Sequence, residues 1–508
     1  MRNVYVCFFI LSISLSSLFS ISAGAEEEAG SGSDDTPVVL DEIAGDRNLT
    51  GARNWRSPEY SNQQGALGWS PGVFNVPKGL EINYQFWVDI YTKYTTDQGL
   101  LHDAEYIDLI YEVLDFTHIS ARTDLTDIQK SKFRTKAVKE GKKRIVALLK
   151  KLQTITDDSK LNADEKRIWD YFQKIQEKKK FLAATTKARL RFQLGQRDRM
   201  VQGIFYAGRY LEDFERIFHE AGLPVELTRL PFVESSFNVL ARSKVGASGL
   251  WQIMRYTGRP YMMINNTIDK RNFPNDAAKL AAKLFRFNYN MLESWPLAIT
   301  GYNHGPAGVQ KLTKLYKSRE LGDLLLSNGQ KRRLGFASRN FYASFLAVLE
   351  IEQNAPKYFG PVFWSKPLTS VEFTLGKPIR WKDIVRWFDG NDQIAQIYNP
   401  HITAAARKFG NLIPKNALIN ILKEKKDLVQ NEFSPPPTKW PSPKTEDGDL
   451  ERVESPAKAE GPHVYTVVRG DTIYSVARDF GVSVQELLTA NKLEATEELK
   501  TGQEIKIP

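Results

Sequence analysis

A lone carboxylate set among apolar residues is the first candidate for chemistry in this chain. In Leu230-Pro231-Phe232-Val233-Glu234-Ser235-Ser236-Phe237, Glu234 stands where a short helix is expected to end. Burial beside Phe232, Val233 and Phe237 would disfavour its ionised form, and the negative end of a helix dipole pushes the same way. A carboxyl that keeps its proton near neutral pH can serve as a general acid. Alone the signal is weak, since a Glu at a helix end is usually just solvated.

Two further clusters follow. Val245-Gly246-Ala247-Ser248-Gly249-Leu250-Trp251-Gln252 spaces two glycines three apart before an aromatic and an amide. Gly249 would let the backbone approach a ligand, Gln252 could hydrogen-bond a sugar hydroxyl or acetamido group, and Trp251 could pack beneath it. The bland alternative is a loop with a core tryptophan. Ile299-Thr300-Gly301-Tyr302-Asn303-His304-Gly305 offers a phenol and an amide between glycines that allow tight turns. Its alternative is an ordinary helix-to-turn junction.

Other chemistries fit poorly. Gly246-Ala247-Ser248-Gly249 is one residue short of a serine nucleophile elbow. The six histidines are scattered without zinc-ligand spacing, so no metal site is expected. No phosphate-cradling loop is present and no cofactor is implied. Aromatics do not interleave with basic residues as in nucleic-acid modules, so no nucleic-acid partner is expected.

The elements that must position these clusters follow from length and texture. A chain of 508 residues, 42% hydrophobic and 26% charged, is too long for one core and too apolar for disorder. Its net charge of +10 suits an anionic polymer or surface. The lone cysteine, Cys7, excludes disulfide scaffolds. Arg2, an apolar run and Ala23-Gly24-Ala25 make residues 1–25 a cleaved signal peptide, with an uncleaved anchor as the alternative. The expected location is therefore exported, in the periplasm or cell envelope, with membrane-surface association a further option.

Residues 26–80 lack any sustained period and make a flexible lead-in. Over 81–202 the pattern turns helical: Ile107, Ile110, Tyr111 and Leu114 fall at the spacing of one buried helix face. The next helix carries Lys130, Lys132, Arg134, Lys136, Lys139, Lys142, Lys143 and Arg144 against Glu140. It would attract an acidic polymer or headgroups, or simply be a solvated face. Helical signals continue over 203–358. Val371 to Leu375 alternates like a strand, helix follows from Trp381, and Ala417 to Leu422 could close residues 369–425 as a strand. A Pro-rich linker over 430–462 leads to a compact unit, 463–508, of strand, two short helices and strand. The fold class is mainly α, with a small βααβ module at the end.

Together Glu234-Ser235, Gly249-Leu250-Trp251-Gln252 and Gly301-Tyr302-Asn303-His304-Gly305, in that order, resemble the catalytic domain of the soluble lytic transglycosylase family, which has a lysozyme-like α-helical fold. Gly301 replaces the family's usual alanine, and Phe341 stands where the family often has a tyrosine bonded to the acid, with Tyr342 adjacent. The resemblance implies one carboxyl acting in turn as acid and base. Glu234 would protonate the oxygen between N-acetylmuramic acid and N-acetylglucosamine. The resulting carboxylate would then deprotonate the muramic acid C6 hydroxyl, giving a 1,6-anhydro end without water. Tyr302 and Asn303 would hold the acetamido group, Gln252 the neighbouring ring, and Ser235 would support the acid. Most glycosidases need a second carboxylate; Asp269 and Asp276 are near in sequence but lie outside the clusters. A hydrolytic muramidase and a non-catalytic peptidoglycan-binding scaffold remain the alternatives.

Residues 463–508 are similar to a LysM module: Tyr465-Thr466-Val467, Gly470-Asp471-Thr472, Phe480-Gly481-Val482, Asn491 and Gly502-Gln503 carry the likeness. It implies binding of peptidoglycan glycan strands beside Gly470, Asp471 and Thr472. Residues 369–425 could be a degenerate relative, without the Gly-Asp-Thr signature.

Overall fold

The computed structural model describes residues 73–325, 334–433 and, of the last segment, 463–467, 472–473, 476–477, 480, 482–493 and 499–508. The expected signal, most of the lead-in and residues 434–462 of the expected linker lie outside the described residues, whereas residues 430–433, placed in that linker by the sequence, end a helix, Lys426–Phe433, because the prolines begin only at Pro435. Two compact units divide the chain near residue 434.

The first unit has three apolar cores. The largest is helical, and the amphipathic spacing of its elements explains it. Helix α1 (Glu81–Thr92) buries Phe86, Trp87, Val88, Ile90 and Tyr91. In that core it joins helices of residues 203–358, so a helix more than a hundred residues earlier supplies part of their interior. The Trp87 indole N–H donates to Asn340 Oδ1 at 3.1 Å, and Asn83 Nδ2 donates to the same oxygen at 2.9 Å.

Residues 98–194, expected to be helical, contain a three-stranded antiparallel sheet of order β2-β1-β3, with β1 Gln98–Asp103, β2 Ile110–Asp115 and β3 Leu190–Leu194. The apparent helix face at Ile107, Ile110, Tyr111 and Leu114 is therefore a loop and a strand. Buried Asp103 organises that loop. Its carboxylate accepts from the amides of Glu105 (2.8 Å) and Tyr106 (3.2 Å), from the Tyr111 hydroxyl (2.9 Å) and from Arg189. Those last two bonds are tertiary, beyond the reach of local periodicity.

The basic helix α2 (Asp127–Gln153) lies against this sheet, with Thr126 and Gln129 forming a capping box at its start. Gly141, Ile145, Leu149 and Leu152 face the second core. Several of its cations are engaged: Arg134 with Asp97 at 2.6 Å, Arg144 with Glu112 at 2.5 Å and Lys151 with Glu165 at 2.7 Å. The solvated-face reading fits these pairs better than a dedicated polyanion site. Among the described residues, no helix is long and apolar enough to cross a membrane.

Three elements frame the acid. Helix α3 (Leu211–Glu220) turns Leu211, Phe214, Ile217 and Phe218 inward. A 3-10 turn, Val225–Arg229, then leads into the six-residue α4 (Leu230–Ser235), which carries a proline in its first turn. Helices α5 (Pro274–Leu292), α6 (Trp295–His304) and α7 (Phe336–Gln353) enclose it. The start of α4 is fixed by Arg229, 1% exposed. Its guanidinium bonds Glu215 of α3 and, at 3.3 Å, Glu352 of α7.

The third core belongs to residues 370–433. Strands β4 (Ser370–Thr374) and β5 (Leu418–Leu422) pair antiparallel, in line with the alternation at Val371 to Leu375 and the closing strand expected at Ala417 to Leu422. Helices α8 (Trp381–Trp387), α9 (Asp392–Tyr398) and α10 (Ala404–Phe409) lie between them. In the second unit β6 (His463–Thr466) and β7 (Glu504–Ile507) pair antiparallel, with α11 (Val484–Asn491) between them in sequence.

Candidate active site

Glu234 occupies the next-to-last position of α4, and left-handed Ser236 (φ 51°) ends that helix. Phe232, Val233 and Phe237 around it are buried, while the Glu234 side chain remains partly open to solvent. Its carboxyl accepts no hydrogen bond from any described residue. Desolvation alone raises its pKa from 4.5 to about 8, with no contribution from a second carboxylate.

Two phenols face it from opposite ends of the sequence. Burial first and the Glu234 charge second raise the pKa of both Tyr91 on α1 and Tyr302 on α6. The Tyr302 ring stacks on Phe285 at 4.8 Å, and its hydroxyl donates to the Trp251 carbonyl at 2.9 Å. The Tyr91 hydroxyl is buried beside Ser344. Local motifs could not reveal Tyr91, because it lies 143 positions before the acid. Phe341 is core, and Tyr342 donates away from the acid to the Asn75 carbonyl at 3.2 Å. Outside the Tyr-Asn cluster, the phenol that feels the Glu234 charge is therefore Tyr91 of α1.

Tyr302 and Asn303 lie inside a helix, and Gly305 (φ 89°) provides the turn that ends it. Gly301 is a packing position instead: a Cβ there would meet Leu292 at 3.1 Å. Asn303 is 8% exposed. Its Oδ1 accepts from Ser338 Oγ at 2.8 Å, which fixes the amide orientation and leaves Nδ2 without a partner. A buried unsatisfied N–H₂ costs stability unless an acceptor arrives. Ser338 was not singled out from the sequence; its role depends on the register of α7 against α6.

The glycine loop is a frame more than a ligand surface. Trp251 is fully buried and stacks on Phe218 at 5.4 Å, so it is a core tryptophan and no platform for a sugar. Gln252 (φ 45°) spends its amide N–H groups on the carbonyls of Ala241 (3.1 Å) and Gly249 (2.8 Å). It thus holds the loop closed, in place of the expected ring contact through that group. Ser235 Oγ lies 3.0 Å from the carbonyls of Pro231 and Leu250, so it joins α4 to the loop and does not bond the acid. Gly249 has φ 80°, and a Cβ there would sit 2.0 Å from the Arg271 carbonyl oxygen. Gly249→Ala should therefore destabilise the fold by about 3 kcal/mol, combining overpacking with left-handed strain. Thermal unfolding checks this, and an unchanged midpoint would contradict the close approach.

Asp269 and Asp276 are engaged elsewhere, with Arg271 at 2.6 Å and Lys270 at 2.8 Å. Among the described residues no group of His, Cys, Asp or Glu could hold a metal ion. A hollow of 370 Å³ over α2, lined by His118, Phe133 and Lys136 among others, shares none of the site residues. Gly470 and Asp471 lie outside the described residues. Thr472 is exposed, and its carbonyl accepts the Val476 amide at 3.0 Å.

A chain that holds one desolvated carboxyl in a helical core, and ends in a small strand-paired unit, has a family counterpart at both places. Residues 218–323 match the Transglycosylase SLT domain, and residues 465–508 match the LysM domain. Over 294 residues the chain is 26% identical to membrane-bound lytic murein transglycosylase D of Escherichia coli K12, covering 56% of this chain and 60% of that protein. The protein of the same name from Escherichia coli O6:H1 gives the same figures. The chain thus spans about 60% of the length of these relatives. Among solved structures, an inactive mutant of lytic transglycosylase Slt from Pseudomonas aeruginosa aligns at 20% identity with a TM-score of 0.23. That alignment covers 30% of this chain and 24% of the other.

Proposed function

We propose that this protein is a peptidoglycan lytic transglycosylase of the cell envelope. It would cleave the bond from N-acetylmuramic acid to N-acetylglucosamine and leave 1,6-anhydro ends. The observation that carries this reading is Glu234: one carboxyl, desolvated to a pKa of about 8, with no second carboxylate acting on it. A hydrolase of the two-carboxylate kind needs a partner to activate water or attack the sugar. One group suffices when the nucleophile is the substrate's own hydroxyl.

Protonated Glu234 donates to the bridging oxygen as the bond to C1 breaks, and the sugar's acetamido oxygen relieves the developing positive charge. The carboxylate then takes the proton of the C6 hydroxyl, whose oxygen closes on C1. Protons balance, and the enzyme returns to its starting state. Asn303 Nδ2 is the free donor suited to the acetamido carbonyl. The Tyr91 hydroxyl can donate to the carboxylate once it forms. Digestion of purified sacculi followed by muropeptide mass measurement tests the reading: products lighter by one water and lacking a reducing end are expected. Reducing-end products would replace it with hydrolysis.

Cleavage should hold below pH 8 and fall as pH rises through about 8, because only the protonated acid can start the reaction. Tyr91→Phe removes a donor to the charged form, so it should move this limb to higher pH and lower the rate. A limb unmoved in that variant would remove Tyr91 from the site. Deletion of residues 434–508 should weaken retention on sacculi by at least roughly tenfold while short soluble glycans are still cut. Equal losses on both substrates would argue against a tethering role for the LysM unit.

A further inference from the structure

Residues 370–433 repeat the build of the C-terminal LysM unit. In the latter, Asn491 closes α11 and clamps the last strand: its Nδ2 donates to the Lys506 carbonyl at 2.7 Å, and its Oδ1 accepts the Lys506 amide at 2.7 Å. Asn399, just after α9, does the same to β5: Nδ2 donates to the Asn420 carbonyl at 2.8 Å, and Oδ1 accepts the Asn420 amide at 2.7 Å. Both asparagines also reach back to the carbonyl four residues earlier, at Leu487 and Ala395. The clamped residues pair with Val464 on β6 and with Glu372 on β4.

The inner copy differs in what its loops do. The segments after β4 and before β5 are zipped to each other, because the amides of Ile379 and Ile413 each donate to the other's carbonyl, at 3.0 and 2.8 Å. Its other connection is joined to the catalytic region. Ile268 is buried within this third core, and the Asp269 amide donates to the His401 carbonyl at 2.8 Å. The Thr403 amide donates to the Thr267 carbonyl at 3.0 Å, and Thr403 Oγ1 to the Asn266 carbonyl at 2.5 Å.

From that seam a continuous set of bonds runs to the residues beside the acid. Asp269 holds Arg271 at 2.6 and 2.8 Å. Arg271, 2% exposed, donates to the carbonyls of Gly246 (2.6 Å) and Ile253 (3.1 Å), the two ends of the glycine loop. Within that loop, the Leu250 and Trp251 carbonyls accept from Ser235 and Tyr302, the residues that flank Glu234.

We propose that the 370–433 module is a brace that sets the glycine loop beside the acid through residues 266–271, and that it does not serve as a second glycan-binding module. Its positioning residues are Ile402, buried in the third core and bridged to Ile268, and Thr403. The catalytic part of this claim rests on the transglycosylase reading, whereas the bracing itself does not, so the test measures both in the full chain. In Ile402→Ala/Thr403→Val, hydrogen exchange at the amides of 246–253 should quicken at least tenfold while those of α1 and α7 keep their protection. The alkaline limb of sacculus lysis should move to lower pH as water reaches Glu234, and sacculus retention should be unchanged. Unaltered exchange at 246–253 overturns the brace even if the protein lyses nothing. A destabilised protein with an unmoved pH limb would show a merely structural role and also overturn it. If the double variant loses protection everywhere, Thr403→Val alone decides by the same two readouts. Leu412→Ser/Lys415→Ser, at the exposed tip before β5, should leave sacculus retention as in wild type. A clear fall in retention there would make the module a glycan binder.

Discussion

Glu234→Gln should lower muropeptide release from sacculi by about 10²–10⁴-fold, while retention on sacculi stays at the wild-type level. The amide keeps the side chain's shape but has no acidic proton to lend and no carboxylate to take one back. A second readout is independent of substrate. The native state holds the Glu234 proton up to a pH of about 8, whereas an unfolded glutamate loses it near 4.5. Between those values the native state binds more protons than the unfolded one, so this group's contribution to stability falls as pH rises. The Gln variant lacks that loss. Its unfolding midpoint should match wild type near pH 4, rise relative to it from about pH 4.5 to 8, and keep a constant lead above. Release of fragments by the Gln variant at the wild-type rate would end the enzymatic reading. A midpoint gap that never opens would mean the carboxyl is freely hydrated.

Arg229→Leu carries the largest expected cost in stability, about 3–5 kcal/mol. Arg229, Glu215 and Glu352 are all buried, and removing the cation strands two carboxylates between α3 and α7. For a unit of this size that corresponds to a fall in unfolding midpoint of roughly 5 °C. Adding Glu215→Gln and Glu352→Gln should recover most of it, since the loss arises from uncompensated charge more than from the missing pair. A single variant that unfolds like wild type would show that water reaches the two carboxylates.

Sequence legibility followed the range of the interactions. Glu234, its short helix and its apolar neighbours were legible because Pro231, Phe232, Val233 and Phe237 are local signals of turn and burial. The strand of 370–374 was legible from alternation, and that of 418–422 from its short apolar run. The sheet at 98–115 was not, because six-residue strands put apolar side chains at spacings that a helix also produces, and what separates the two is the bonding of Asp103 to Tyr111 and Arg189. Local sequence also left the surroundings of Ser235, Trp251 and Gln252 open, for a related reason. Their residue types suit a sugar, but their polar atoms and faces are already satisfied by backbone carbonyls and by Phe218. Asn303 retained a free donor because Ser338, 35 residues away, binds its other end.

Because Trp87 and Asn83 meet Asn340 across 253 and 257 positions, the earliest helix of the core has to wait for one of the last. Contacts of such sequence separation slow folding, since a long loop must close before they form. A chain emerging in amino-to-carboxyl order would expose Phe86, Trp87, Val88 and Tyr91 throughout that interval, inviting self-association. Refolding yield should accordingly fall with protein concentration, and supplying residues 336–353 late should leave α1 the last element to gain protection.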